Sequence, residues 1–223
     1  MSEVNLKQEQ LASLNRPRYS YSLRARIFFY FMDKLAGKAT TLAKTKLIEI
    51  LASIPYRTWE NHQYAVLTRD YDYESRVGDA QRKKDWSRAA QDNEYLHLLV
   101  INAKMKEDQI ENPWFLRWGI PFVLVSGYRF FAWCLTRISP RQAYLFNAEF
   151  EDHAEHVYAQ FVADHPEWET QPAIAEILKQ YAQLPTWADV FRRIGLDERD
   201  HRNASFKLAG KMEAVVQYYG RDE

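Results

Sequence analysis

The sequence predicts an all-α fold, and three observations support this prediction. Glycine and proline are sparse, with 7 and 8 residues in 223, and few stretches alternate apolar with polar residues as β-strands do. Apolar residues recur with a helical period along most of the chain. Two Glu-x-x-His pairs also occur, and residues three apart share one face of an α-helix.

The length suits one domain with a well-buried core, which we place at residues 21–223. Residues 1–20 are polar and mixed, so we expect a mobile N-terminal arm that ends near Pro17. Residues 21–36 place aromatic and aliphatic side chains among charged ones, which predicts an amphipathic helix. Residues 40–54 continue the helical period, with Glu49 on an apolar face, and we expect Pro55 to interrupt this helix.

Residues 68–84 are the most hydrophilic stretch and predict a loop or an exposed helix start, followed by a helix that carries the first Glu-x-x-His pair. After Ser139-Pro140 a long helix is expected to hold Glu151. Residues 166–187 contain three prolines and predict a linker with one short helix, and the last helix begins near Thr186.

Residues 113–136 are the most apolar part of the chain, yet the longest uncharged run, Trp118 to Tyr128, covers only eleven residues and contains Pro121. A bilayer-spanning helix needs about 20 apolar residues. We therefore expect this segment to lie on a membrane surface, and the alternative is a core helix of a soluble protein. The aromatic residues expected to enter the lipid are Trp114, Phe115, Phe122, Phe130 and Trp133.

The two Glu-x-x-His pairs are each preceded, tens of residues upstream, by an unpaired glutamate on a helix-like segment. Ferritin-like di-iron bundles take one Glu from each of two helices and a Glu-x-x-His from each of the other two. The sequence therefore predicts a four-helix bundle that holds two iron ions, although a solvated helix face is the alternative for any single glutamate. The six candidate ligands are Glu49, Glu94, His97, Glu151, Glu198 and His201.

Other residues near these positions are candidates for supporting roles. Tyr158 lies two helical turns after the third glutamate and would project towards the metals, unless it is a core tyrosine. Asn93 and Asp197 each precede a glutamate of a pair and are candidates to orient the ligand imidazoles. We interpret His153 and His156 as residues behind the ligands or in a pocket, with surface positions as the alternative.

Composition excludes some classes of function. Lys and Arg balance Asp and Glu at 30 each, so the chain has no positive surplus with which to bind nucleic acid. Cys134 is the only cysteine, which excludes an internal disulfide and favours a small buried residue. The N-terminus lacks both an apolar signal core and an Arg-rich transit pattern, so we expect no import step.

The motifs around these residues resemble those of the alternative oxidase family of membrane-bound di-iron quinol oxidases, over about Lys44 to Ala209. IEILASIP around Glu49 is similar to the family's first-ligand motif, and DNEYLHLL and LDERDHR are similar to its Glu-x-x-His motifs. SPRQAYLFNAEFEDHAEHVYAQF resembles the plastid terminal oxidase branch in particular. In the first motif, Ile48 and Ile50 replace Leu and Thr, and Lys44 stands where an Arg is common.

The resemblance implies that the six candidate ligands bind the iron ions and that Tyr158 is redox-active. It also implies a quinol headgroup site near Ile48, Glu49, Ala154 and Val157. The expected activity is cyanide-insensitive oxidation of ubiquinol or plastoquinol, with reduction of dioxygen to water and no proton pumping. The expected partners are quinol, dioxygen and a membrane lipid surface, and we also expect a homodimer.

The expected location is monotopic on a bacterial inner, thylakoid or organelle membrane, the last if a targeting peptide has been removed. Two alternatives remain open at this point. A di-iron quinone-ring hydroxylase would share the membrane surface and the ligand pattern. A non-catalytic iron-binding bundle would share the ligands but would not explain the apolar segment 113–136.

Overall fold

Helices form nearly all the regular structure in the computed structural model, which describes residues 4–219. Residues 1–3 of the predicted arm and 220–223 of the predicted domain lie outside the described residues. No β-strand occurs within residues 4–219, where one isolated bridge joins Pro172 to Thr186, so the all-α prediction is confirmed. The α-helices are α1 (Leu6–Asn15), α2 (Leu23–Ala36), α3 (Leu42–Arg69), α4 (Glu74–Glu107), α5 (Ile120–Ile138), α6 (Pro140–Asp164) and α7 (Trp187–Leu208).

The four long helices that carry the candidate ligands form the centre of the molecule. Helix α3 packs along α4, α6 packs along α7, and contacts between α3 and α6 join the two pairs. Helix α1 lies against α6 and α7, whereas α2 and α5 pack against α3 and α6. This arrangement is the four-helix core that the Glu-x-x-His pattern predicts, with the other helices outside it.

Polar caps fix where helices α6 and α7 of this core begin. The Ser139 hydroxyl caps α6, whose first residue is Pro140, and the Thr186 hydroxyl accepts the N–H of Asp189 at the start of α7. Such caps satisfy backbone donors that have no partner inside the helix. Both predicted helix starts are confirmed, and the linker before α7 contains two short 3-10 turns, Pro166–Glu169 and Glu176–Lys179.

The prediction that Pro55 interrupts the third helix is wrong, because α3 continues through it to Arg69. Proline inside a helix loses one backbone hydrogen bond and costs about 3 kcal/mol. Here residues 51–56 are all buried, so the packing of this stretch offsets that cost. The consequence is that α3 carries further core residues beyond the proline, including Tyr56 and Trp59.

The N-terminal segment also differs from the mobile arm that its polarity predicts. Residues 6–15 form helix α1, and the side chains of Glu9 and Ser13 are buried. Arg199 on α7 forms an ion pair with Glu9, donates to the Ser13 hydroxyl at 2.9 Å and donates to Glu155 on α6 at 2.8 Å. The polar residues of the segment are thus partners for charges on the bundle, and a hydrophobicity pattern cannot show such partners.

Helices α2 and α5 expose apolar side chains although their inner faces are buried. The most exposed aromatic residues of this region are Trp118, at 93 %, and Phe122, at 74 %. Phe115, which we expected at the lipid, is instead buried in the cluster of α2, α3, α5 and α6. Within residues 4–219, no helix is both long and apolar enough to cross a membrane. The exposed apolar side chains of both helices are Leu23, Ile27, Tyr30, Phe31, Phe122, Val123, Phe130, Phe131, Trp133 and Ile138.

Candidate metal centre

The structure brings all six candidate ligands together in the middle of the bundle. Each of α3 and α6 contributes one glutamate, and each of α4 and α7 contributes one Glu-x-x-His pair. All six side chains are buried. Their ligand atoms form two groups, and within each group the atoms lie within 4.8 Å of one another.

Two glutamates belong to both groups and therefore link the two groups into one site. Glu94 and Glu198 are shared, Glu49 and His97 complete one group, and Glu151 and His201 complete the other. Nδ1 of His97 lies 3.2 Å from Oε1 of Glu198, and Nδ1 of His201 lies 2.7 Å from Oε1 of Glu94. The arrangement suits two adjacent cations bridged by two carboxylates.

The lack of hydrogen-bond partners for many atoms of the cluster is consistent with a metal-binding site. Eight buried ligand atoms have no hydrogen-bond partner in the structure. A buried polar atom without a partner costs roughly 1–3 kcal/mol, and more if it is charged, so such a concentration requires a reason. Hard carboxylate oxygens together with imidazole nitrogens are suitable ligands for iron. The eight atoms are Oε2 of Glu49, both oxygens of Glu94, Nδ1 of His97, Oε2 of Glu151, both oxygens of Glu198 and Nδ1 of His201.

The pKa values of the clustered carboxyl groups also indicate that this site requires positive charge. Burial and the neighbouring Glu198 and Glu94 raise the pKa values of Glu49 and Glu151 well above the usual range. Burial also disfavours ionisation of Glu94, but His201 and His97 outweigh it and lower the pKa of that carboxyl. Without metal, protons therefore supply the positive charge that the four carboxylates require.

Tyr158 on α6 reaches the cluster, as its position in the sequence predicts. The fully buried hydroxyl donates a hydrogen bond to Oε1 of Glu49. Burial and the Glu49 carboxylate raise the pKa of this phenol well above its usual value. Gly195 on α7 permits the close packing here, because a Cβ at that position would lie 3.2 Å from the Cβ of Tyr158. Tyr158 thus holds its proton at one oxygen of a candidate ligand.

A second tyrosine, which the sequence analysis missed, binds the other single glutamate. Tyr56 on α3 donates to Oε1 of Glu151 at 2.6 Å, and Asn147 donates to the same oxygen at 2.9 Å. Tyr56 follows Glu49 by seven residues, as Tyr158 follows Glu151. Each of the two helices therefore carries a Glu and a Tyr two turns later, and each Tyr binds the Glu of the other helix.

Asp197 contacts the imidazole of the candidate ligand His97, and two further side chains fix its position. Its Oδ2 lies 3.2 Å from Nε2 of His97 and accepts the hydroxyl of Tyr181 at 2.5 Å, while Arg193 pairs with Oδ1. A proton on Nε2 leaves Nδ1 of His97 free to bind metal. Asn93 is half-buried, and within residues 4–219 no hydrogen bond joins its side chain to any of the six candidate ligands.

The residues predicted to surround a quinol headgroup are also brought together. Ile48, Ala154 and Val157 are buried in one apolar cluster between α2, α3, α5 and α6. His153 lies beside this cluster and stacks on Phe29 with a centroid distance of 4.2 Å. Both of its ring nitrogens are buried without a hydrogen-bond partner, and burial lowers the pKa of His153 to about 3, so the ring is neutral.

His156 and Lys44 have structural partners. Nδ1 of His156 lies 2.7 Å from the backbone oxygen of Asp152, and Nε2 lies 3.0 Å from that of Arg16, so this ring ties α6 to the end of α1. Nζ of Lys44 is buried and donates to Oδ1 of Asp33 at 2.6 Å, which joins α2 to α3 near the apolar cluster.

Comparison with known protein families identifies the family to which this chain belongs. Residues 79–210, more than half of the chain, match the family described as alternative oxidase. The chain belongs to the alternative oxidase family. Members of this family are non-haem di-iron quinol oxidases associated with membranes, and the family that the sequence motifs indicate is confirmed, whereas its plastid branch stays a prediction. The matched residues include both Glu-x-x-His pairs and Glu151, whereas Glu49 lies before them. No curated protein matches the chain.

Proposed function

We propose that this member of the alternative oxidase family oxidises a membrane quinol, ubiquinol or plastoquinol, and reduces dioxygen to water without pumping protons. The observation that carries the proposal is the pair of ligand groups that share Glu94 and Glu198. The likeness of residues 139–161 to the plastid terminal oxidase branch supports plastoquinol-type chemistry within this class. The alternative function, a non-catalytic iron-binding bundle, would not explain the exposed apolar side chains of α2 and α5.

Two iron ions would be held between the six clustered side chains. Glu94 and Glu198 belong to both ligand groups, Glu49 and His97 to one of them, and Glu151 and His201 to the other, so these side chains would hold the ions. The iron pair, when bound, supplies the electrons and the binding site that dioxygen reduction requires. The protein keeps this site dry, since every ligand is buried, and Asp197 orients the His97 ring.

Tyr158 is the residue that we place at the reacting centre besides the ligands. One quinol brings two electrons and two protons, whereas reduction of dioxygen to water takes four of each. A phenol hydrogen-bonded to Glu49 can give one electron to the centre while its proton moves to Oε1 of that carboxylate. Its raised pKa keeps the proton in place until that step.

An apolar cavity supports access of quinol from the exposed face of α2 and α5. The cavity has a volume of about 480 Å³ and is lined by residues of both helices, with Leu51 of α3 in its wall. Leu51 lies one turn after Ile48, whose neighbour Glu49 is a candidate ligand. We propose that the headgroup enters here and lies near Ile48, Glu49, Ala154 and Val157, with the neutral ring of His153 beside it.

The exposed apolar side chains of α2 and α5 support a monotopic position on a bilayer surface. Aromatic residues such as Phe122 and Trp133 can enter the interface, while Arg137, stacked on Trp133 at 5.6 Å, reaches the lipid headgroups. We also propose that the working form is a homodimer on a bacterial inner, thylakoid or organelle membrane, with α1 packed on the one domain that residues 21–223 form. Asn93 remains a candidate to orient a ligand once metal is bound.

Oxygen uptake by membranes that contain the expressed chain tests the proposal. Added quinol should start oxygen consumption that persists in cyanide, and membranes that contain the Glu94→Ala variant should lack it. Product analysis should find unmodified quinone. Two quinols should be consumed for each dioxygen. Hydroxylated quinone would favour the ring hydroxylase, and uptake abolished by low cyanide would contradict the proposed oxidase.

A further inference from the structure

The two tyrosines that bind candidate ligands have very different aromatic neighbours. Tyr158 stacks on Phe191, and the benzene ring of phenylalanine does not give up an electron readily. Tyr56 instead contacts two indoles, Trp59 at a centroid distance of 5.4 Å and Trp86 at 5.5 Å. Phenol and indole are the two aromatic side chains that are most readily oxidised. Of these two tyrosines, Tyr56 alone is in direct ring contact with indoles within residues 4–219.

These rings lead from the buried cluster to the surface of the protein. Tyr56 and Trp59 are buried, whereas Trp86 on α4 is partly exposed. Trp59 and Trp86 stack with their centroids 5.7 Å apart, so all three rings are in mutual contact. The indole N–H of Trp59 is buried without a hydrogen-bond partner, so no polar contact explains this arrangement.

The surface end of the chain of rings opens into a basic cavity. Trp86 lines a cavity of about 260 Å³ together with Arg82, Lys83 and Lys207, and Asp79, the acidic residue of its lining, pairs with Lys83 at 2.6 Å and with Arg82 at 3.4 Å. The lining therefore keeps an excess of positive charge, which attracts small anions to the partly exposed indole. A small anionic reductant can therefore reach Trp86 while the metal centre remains closed to solvent.

We propose that Tyr56, Trp59 and Trp86 form a relay that carries oxidising equivalents from the metal centre to the protein surface when quinol is lacking. The inference rests on the proposed function, because dioxygen consumed at the centre is the oxidant. Tyr56 gives one electron to the centre, and its proton moves along the hydrogen bond to Oε1 of Glu151. The Tyr56 radical then recovers its proton from Glu151 and takes one electron from an indole.

At the end of the relay, Trp86 is oxidised by one electron. A small-molecule reductant in the basic cavity restores that electron. In the absence of a reductant, a second oxidising equivalent from the centre removes another electron from the indole, one water adds to the ring as two protons leave to solvent, and a permanently oxygenated tryptophan remains. The position of this damage therefore records the route, independently of quinol turnover.

Peptide mass spectrometry of the iron-loaded full chain, kept in air with limiting quinol, tests the relay. In the wild-type protein, oxygenated products should accumulate at Trp86 and Trp59 and exceed those at Trp118, which is far more exposed. Tyr56→Phe should lower Trp86 oxygenation severalfold at equal iron content. The matched control is Tyr144→Phe, which removes a hydroxyl from a ring that contacts Trp59 at 4.6 Å but has no hydrogen bond to a candidate ligand.

Trp86→Phe provides a second test that leaves the contacts of the ligands intact. Quinol oxidation with ample quinol should be unchanged, whereas oxygenation at Trp59 and Tyr56 should rise severalfold because the last donor is missing. Equal Trp86 oxygenation in Tyr56→Phe and wild type, or damage that follows exposure alone, would overturn the relay. If Tyr56→Phe loads less iron than wild type, the Trp86→Phe result decides. Wild-type protein without iron or quinol oxidation would instead refute the proposed function.

Discussion

The two oxygens of each single glutamate in the cluster have different environments. Oε1 of Glu49 accepts the hydroxyl of Tyr158, and Oε1 of Glu151 accepts that of Tyr56, while neither Oε2 has a hydrogen-bond partner among residues 4–219. A hydrogen bond to one oxygen fixes the orientation of the carboxylate and leaves the other oxygen for metal. The same Glu-to-Tyr spacing on α3 and α6 produces both contacts.

At the residue scale, Tyr158→Phe should retain the iron and the fold but lose most quinol oxidation. The substitution removes only the hydroxyl, so the ring still packs against Phe191 and Gly195. Iron analysis and oxygen uptake on one preparation measure the two effects separately. Tyr144→Phe on the same helix is the control and should remain active. Wild-type turnover in an iron-replete Tyr158→Phe protein would show that this tyrosine is only a core residue.

At the scale of helices, periodicity predicted the bundle and its ligands but not every boundary. The spacing that predicts Tyr158 from Glu151 also gives Tyr56 from Glu49, yet the local sequence predicts that the helix ends at Pro55, one residue before Tyr56. The burial that keeps α3 intact there comes from neighbouring helices, so the local sequence does not contain it. Helix α1 was missed for a similar reason, since its partner Arg199 lies 190 residues away from Glu9.

Helices α2 and α5 give a prediction for membrane binding. Replacing Phe122, Phe130 and Trp133 together by Ser should move the chain to the soluble fraction. We expect the burial of aromatic side chains in the bilayer interface, rather than charge, to provide the binding energy. Detergent, but not high salt, should release the wild-type protein. Fractionation followed by immunoblotting measures both effects.

The control for this prediction removes exposed apolar groups from other parts of the surface. Tyr71, Tyr95 and Ile174 are all more than half exposed and lie outside α2 and α5. Their joint replacement by Ser should leave the chain on the membrane. A chain that stays bound without Phe122, Phe130 and Trp133 would show that the interface lies on another segment.

For the whole molecule, the cluster makes stability depend on pH when iron is absent. Glu49 and Glu151 keep their protons in the folded state because their pKa values are raised, whereas the unfolded chain loses them above about pH 4.3. Burial opposes protonation of His97 and His201, but neighbouring acidic groups outweigh it and raise their pKa values. The folded state therefore binds more protons, and its stability falls as pH rises.

Chelator-treated protein should accordingly have a lower Tm at about pH 8 than at about pH 6.5, a window between the usual histidine pKa and the raised values. Iron should remove this trend, because metal replaces the protons and releases them on binding. Calorimetry of the iron-free and iron-loaded forms over this range provides the measurement. A Tm of the iron-free form that rises with pH would contradict the charge distribution of the cluster.

Iron content per chain distinguishes a di-iron centre from a cluster of buried carboxylates that binds no metal. Wild-type protein should contain about two iron ions, as di-iron bundles do, and Glu94→Ala or His201→Ala should lower this content sharply. Glu149→Ala is the matched control, because Glu149 is buried on α6 near Glu151 but bonds to Ser22 instead. The account predicts full iron in this control alone among the three variants. Full iron in both ligand variants would contradict the di-iron assignment.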